Sequence, residues 1–244
     1  MRVHILQHVP FEGIGCMGSW LDSRDAELGY TRFYESAELP DVRGIDLVII
    51  MGGPMNVPDE TTHPWLVAEK KFVREAIDQG VAVLGVCLGA QLIADVMGAR
   101  IFPNEFKEVG WLPIEAVDGG EDSFAFPERM MAFHWHGDTF DLPVGALRLA
   151  RSEGCENQAF QLGKNVIGLQ FHLETTMETT ELMIENCPDD LANGRYVQSV
   201  DAMRKATAVN DNLANRLVYA ILDYLTIKLG QEPEVSRVAG HKKF

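Results

Sequence analysis

The chain has 244 residues, 46% hydrophobic and 23% charged, with a formal net charge of −15. This is the composition of a globular protein with one sizeable core or two small ones, and its acidity argues against nonspecific binding to nucleic acid or anionic membranes. No apolar run reaches the roughly 18 residues of a membrane span, and the opening MRVHILQHVPFEG lacks the apolar stretch and cleavage site of a signal peptide, so a cytoplasmic location is expected.

In chain order, residues 2–8 read as a strand, followed by a glycine-bearing segment at 10–18 and a helix over 18–28 that Gly29 stops. Residues 31–36 fit a second strand, soon broken by Leu39-Pro40. Residues 46–51, DLVIIM, form a continuous apolar strand ending in Gly52-Gly53-Pro54, a turn that brings bare backbone to the strand's carboxyl end. Pro64 suits the first turn of a helix that runs to Gln79 and stops at Gly80. Residues 81–86, VAVLGV, show no alternation and fit a strand buried on both faces. After Cys87 the period becomes helical, with Leu88, Leu92 and Val96, until Gly98.

This alternation predicts an α/β fold with a doubly wound, mostly parallel sheet, whose sites lie beyond the carboxyl ends of the strands. The middle of the chain is strand-rich, at 99–102, 108–117, 131–135, 147–151, 158–162 and 166–171, with spacings short enough for antiparallel edge strands. A helix over 176–186, a loop at 188–194, two helices at 197–206 and 208–229 and a loose polar tail from Gly230 complete the chain. One domain with a C-terminal helical extension is the expected plan.

Cys87 stands where a buried strand meets the first turn of a helix, flanked by Gly85 and Gly89 in a G-x-C-x-G frame, the cysteine counterpart of the nucleophile elbow. The helix N-terminus offers unpaired N–H groups and a positive dipole end, which favour thiolate over thiol. A lone cysteine is more often an ordinary core residue; the two glycines and the change of period favour an activated nucleophile. Cys16, Cys87, Cys155 and Cys187 lie far apart without C-x-x-C spacing, matching neither the usual zinc patterns nor a disulfide framework.

A thiolate nucleophile needs a base, and the base an orienting group. Of seven histidines, His4, His8, His63 and His241 have no obvious acid two or three residues away at a strand end. His172 ends the strand at 166–171 with Glu174 at i+2, on the same side if the extended geometry persists. Spacing alone leaves a satisfied histidine at a strand end as an equal alternative. A rival string, His134-Trp135-His136-Gly137-Asp138, has the form of metal ligands. It carries Thr139 where metallo-β-lactamase-like hydrolases have a further histidine, and it gives Cys87 no role. A structural turn with His136 hydrogen-bonded inside the site is the preferred reading. Attack on an amide also needs oxyanion donors, for which the N–H of Leu88 and the Gly52-Gly53 turn are available.

GVCLGAQL at 85–92, MGGP at 51–54 and GLQFHLE at 168–174 together resemble class I glutamine amidotransferases, in a stand-alone form of the GMP-synthase-like branch. HWHGDTFDLP at 134–143 is similar to that branch's His-Gly-Asp turn, and the likeness covers residues 1–187. The resemblance implies a flavodoxin-like amidotransferase domain over 1–187, with residues 188–244 a helical extension packed on it. It also implies a Cys87, His172, Glu174 triad that hydrolyses the glutamine side-chain amide through a γ-glutamyl thioester. Gly53 and Leu88 would form the oxyanion hole, and Gln91, Met55, Trp135 and Gly137 would border the substrate. No cofactor and no metal are implied.

Two departures stand out. Leu173 replaces the proline that many members have between the triad histidine and glutamate. There is also no P-loop or ATP-pyrophosphatase domain, so a separate synthetase chain is the expected ammonia acceptor. Amidotransferases of this kind often resemble switches set by their synthetase. The alternatives are a hydrolase of other γ-glutamyl peptides or conjugates, and a non-catalytic binding protein.

Overall fold

The apolar segments without alternation lie at the centre of one sheet, where alternate side chains must enter opposite cores. A computed structural model describes residues 1–227. Its elements are β1 (Arg2–Gln7), α1 (Met17–Ser23), β2 (Glu27–Arg32), β3 (Leu47–Ile50), α2 (Trp65–Asp78), β4 (Ala82–Val86) and α3 (Leu88–Val96). There follow β5 (Ile101–Ala116), β6 (Arg129–Phe140), β7 (Ala146–Arg151), β8 (Ala159–Leu162), β9 (Val166–Leu169), α4 (Met177–Asn186), a 3-10 turn (Pro188–Leu191), β10 (Tyr196–Val197) and α5 (Val200–Thr226).

The parallel core runs β2-β1-β3-β4-β9. From β9 the sheet continues antiparallel through β8 and β7 to β5, which also carries antiparallel β6 and parallel β10. Val3, Ile5, Leu47, Ile49, Leu84 and Val86 face a core closed by α1 and α5. Leu6, Val48, Ile50 and Val83 face the opposite core, closed by α2 and α3. The sheet is thus doubly wound and mostly parallel, with antiparallel strands toward one edge. Among the described residues no helix is long and apolar enough to cross a membrane.

Four local expectations need correction. The helix expected over 18–28 ends at Ser23, just before Asp25 turns the chain with φ of 47°. The edge strand is Glu27–Arg32, so Gly29 lies inside β2 and stops no helix. A Cβ at Gly29 would stand 2.7 Å from His4 Nδ1, so its glycine reflects close approach of a ring from β1. The segments 99–102 and 108–117 fall in one 16-residue strand whose register shifts between Pro103 and Glu108.

Finally, the two C-terminal helices are the single 27-residue α5. Thr207, at the expected break, bonds the Met203 carbonyl and accepts from Trp111 Nε1, so its hydroxyl is satisfied inside the helix. The tail from Gly230 and the last two residues of the expected 208–229 helix lie outside the described residues.

Candidate active site

Cys87 follows β4 and caps α3 with φ of 51° and ψ of −106°. Such a conformation in a non-glycine residue costs on the order of 1–3 kcal/mol and persists only where the surroundings impose it. The two flanking glycines are part of that surrounding. A Cβ at Gly85 would lie 2.5 Å from the Gly89 carbonyl oxygen, and one at Gly89 would lie 2.2 Å from that of Ile50. Their bareness lets α3 sit directly on β3 and β4. Cys87 Sγ lies 3.7 Å from the Trp135 carbonyl and 3.6 Å from Gln170 Nε2.

His172 follows β9, the parallel neighbour of β4. Its N–H donates to the Phe133 carbonyl at 2.7 Å, which anchors the residue to β6. Nδ1 pairs with Glu174 Oε1 at 2.7 Å, while Nε2 is buried and takes no hydrogen bond. Burial opposes a charge on this imidazole, yet the Glu174 carboxylate and Cys87 outweigh it and hold its pKa well above the ordinary value. Leu173 is buried, and its carbonyl accepts from Asn215 Nδ2 of α5 at 2.9 Å. Asn215 also reaches the Thr175 carbonyl, so α5 braces this turn.

A cavity of about 450 Å³ opens at the carboxyl ends of the strands. Cys87, Gly53, Met55, Gln91, Trp135 and Gly137 all line it, as do Glu12, Lys107, Asp138 and Asp190. His172 and Glu174 instead border a cavity of about 20 Å³, and Glu12 and Met183 are common to both. Leu88 lines neither; its side chain is buried among α2 and α3 while its backbone opens the helix. Among the described residues, no turn, cap or loop hydrogen bond occupies the N–H of Gly53 or of Leu88. Gln91 Nε2 donates to Gln170 Oε1 at 3.1 Å, so Gln170 links Gln91 to the cysteine sulfur.

Glu12 was not expected in the site. Burial pushes its carboxyl up to about 7, against the opposing pull of His172 and His8. Its only signal in the sequence is an acid in a glycine-bearing loop after a strand, shared by many ordinary loops.

A second cysteine, histidine and glutamate meet nearby, and Glu108, His136 and Cys155 offer donor atoms within 4.8 Å of one another. These groups are already bonded. Glu108 accepts from Ser152 Oγ at 2.7 Å and Gln158 Nε2 at 2.5 Å and pairs with His136 Nε2 at 3.1 Å. His136 Nδ1 donates to the Asp138 carbonyl. An amide donor aimed at the same carboxylate oxygen stands where a cation would have to bind. Burial raises the Cys155 thiol to about 11, and it pairs with the Thr139 hydroxyl. This cluster braces the turn at 136–138 and neither opens a nucleophile to the cavity nor presents a vacant metal site.

A doubly wound sheet with a strained cysteine at a central strand end, beside an imidazole–carboxylate pair, is the architecture of thiol enzymes acting on amides. The chain belongs to the class-I glutamine amidotransferase family, whose model matches residues 21–189. It is 33% identical to the glutamine amidotransferase-like protein YfeJ of Salmonella typhimurium over 95% of this chain and 100% of that one. GMP synthase [glutamine-hydrolyzing] of Thermomicrobium roseum is 36% identical over 52% of this chain, which spans only 23% of that enzyme. The crystal structure of a glutamine amidotransferase from Thermotoga maritima superposes with a TM-score of 0.85 at 30% identity, covering 93% of this chain and 98% of the other. One from Methylobacillus flagellatus gives 0.87 at 28%, covering 100% and 99%.

Proposed function

We propose that this enzyme hydrolyses the side-chain amide of glutamine with Cys87 as nucleophile, His172 as general base and acid, and Glu174 as the orienting carboxylate. One observation carries the reading: Glu174 occupies Nδ1 of His172, beyond the end of the strand next to that of Cys87, and leaves Nε2 without another partner. Nε2 takes the Sγ proton, and the thiolate attacks the amide carbon. The N–H groups of Gly53 and Leu88 receive the oxyanion, a contribution of about 3–4 kcal/mol per donor. The imidazolium returns the proton to the leaving nitrogen, ammonia departs, and a γ-glutamyl thioester remains on Cys87. Water activated by His172 releases glutamate. Gln91, Met55, Trp135 and Gly137 border the amino-acid end of the substrate, with Gln91 oriented by Gln170.

On the same proposal residues 1–187 are the amidotransferase unit and 188–244 an extension, supported by the bonds from Asn215 to the triad turn. The ammonia passes to a separate synthetase chain in the cytoplasm; the likeness to the glutamine-hydrolysing GMP synthases supports an acceptor of that kind. A second reading, hydrolysis of γ-glutamyl peptides, is favoured by a cavity of about 450 Å³ with Lys107, Asp138 and Asp190 on its walls, roomier than one amino acid needs. Ammonia and glutamate release from glutamine, measured against a panel of γ-glutamyl peptides with Cys87→Ala as control, decides between them. A higher kcat/KM for the peptides overturns the glutamine reading.

A further inference from the structure

His8 follows β1, and Gly52 follows the adjacent parallel strand β3. His8 Nδ1 meets the Gly52 carbonyl oxygen at 2.9 Å, and its Nε2 meets Glu69 Oε1 of α2 at 2.8 Å. Both side chains are wholly buried. A carbonyl oxygen can only accept, so Nδ1 carries a proton and donates it. The imidazole stacks on Phe33 at 5.4 Å and on Trp65 at 5.6 Å between ring centroids, which fixes its plane.

The Gly52 carbonyl and the Gly53 N–H belong to one peptide unit. In a trans peptide these two groups point in opposite directions, and no cis bond occurs among the described residues. A donor that holds the carbonyl on one side therefore fixes the N–H on the other. Gly53 borders the cavity that Cys87 lines, and a Cβ on it would lie 2.9 Å from His8 Cβ, so the histidine is packed against this very turn. Two glycines in succession could otherwise rotate their shared peptide at little steric cost.

We propose that His8, held by Glu69, is a positioning residue for the oxyanion hole, locking the Gly52–Gly53 peptide with its N–H turned toward the carbonyl under attack by Cys87. The role rests on the reading of Gly53 as an oxyanion donor. It means that the hole is preset within this chain and needs no partner to form it. The nearby charges that bear on His8 are Glu69 and Glu12, one on α2 and one on the loop after β1.

The test compares two reactions of the same sulfur. Hydrolysis of a γ-glutamyl amide builds an oxyanion; alkylation of Cys87 by iodoacetamide does not. His8→Leu should lower kcat about 10²-fold with KM within about twofold of wild type, as loss of one oxyanion donor does. Its rate of alkylation by iodoacetamide should stay at the wild-type value. His8→Asn places an amide N–H near the position of Nδ1 and should recover kcat to within about tenfold of wild type.

Unchanged kcat in His8→Leu, or equal losses in hydrolysis and alkylation, overturns the proposal. If His8→Leu does not fold, Glu69→Gln carries the test: a lower kcat with unchanged alkylation supports the role, and unchanged kcat overturns it. A wild-type chain that iodoacetamide labels but that cleaves no γ-glutamyl amide defeats the functional reading, and the positioning role with it. That outcome is distinct from an active wild type indifferent to His8.

Discussion

Two buried histidines, each bound to a glutamate, stand at the ends of strands in this sheet and are bonded differently. His172 has one nitrogen on Glu174 and the other idle. His8 has both nitrogens engaged, one on Glu69 and one on the Gly52 carbonyl. A third histidine, His136, resembles His8, being held by Glu108 and by the Asp138 carbonyl. The carboxylate is common to all three, so it does not distinguish a base from a brace. On the proposed reading the open nitrogen does, because a ring bonded at both ends holds backbone in place while one bonded at one end has somewhere to put a proton.

The largest effect should come from breaking that distinction at the idle ring. Cys87→Ala or His172→Ala should each lower kcat by about 10⁴-fold or more, and the double variant should be little worse than either, because nucleophile and base act as a unit. Steady-state glutamate release checks this, and additive losses would refute the pairing. Glu174→Gln keeps an acceptor for Nδ1 but removes the charge that supports the imidazolium, and should lower kcat about 10³-fold. Glu69→Gln, on the bracing ring, should lose less, so equal losses in the two variants would erase the contrast.

A third prediction moves the sulfur instead of the base. Gly89→Ala places a Cβ 2.2 Å from the Ile50 carbonyl oxygen, and backbone there cannot yield as a flexible side chain would. The cost should reach about 3 kcal/mol of stability, read as a lower urea midpoint.

The smallest effect concerns Glu12, whose charge acts on both His8 and His172. Its carboxyl sits at about 7 in the folded chain against 4.5 as the ordinary value, so between those pH values the folded state holds a proton that the unfolded state has lost. Stability attributable to this group therefore falls as pH rises through that window. Glu12→Gln should be increasingly stabilised relative to wild type from pH 4.5 to 7, by at most about 3 kcal/mol. Thermal midpoints measured across that range check the sign, and a gap that narrows with pH would refute the assignment.

Much of this protein is legible in the sequence because its signals are local. The run at 81–86, the switch to helical period and the two glycines lie within a dozen residues of Cys87. The pairing of His172 with Glu174 needs only i and i+2 on one side of an extended segment. The doubly wound sheet follows from the order of apolar strands and helices. What remained hidden depends on distance along the chain. Glu69 reaches His8 across 61 residues, and Asn215 reaches the Leu173 carbonyl across 42. The desolvation of Glu12 exists only once the loop after β1 folds over the site.

Even the local errors have a tertiary cause: Gly29 reads as a helix stop until the His4 ring of the next strand is seen beside it, and Thr207 reads as a break until Trp111 supplies its partner. The sequence by itself determined the class of fold and the strand-to-helix junction at Cys87, since each is a matter of short-range geometry and periodicity, and left His172 as one of two equal readings. Only the tertiary structure decided which histidine nitrogens are occupied, because a hydrogen bond is satisfied or left open by whatever the rest of the fold brings within three ångströms of it.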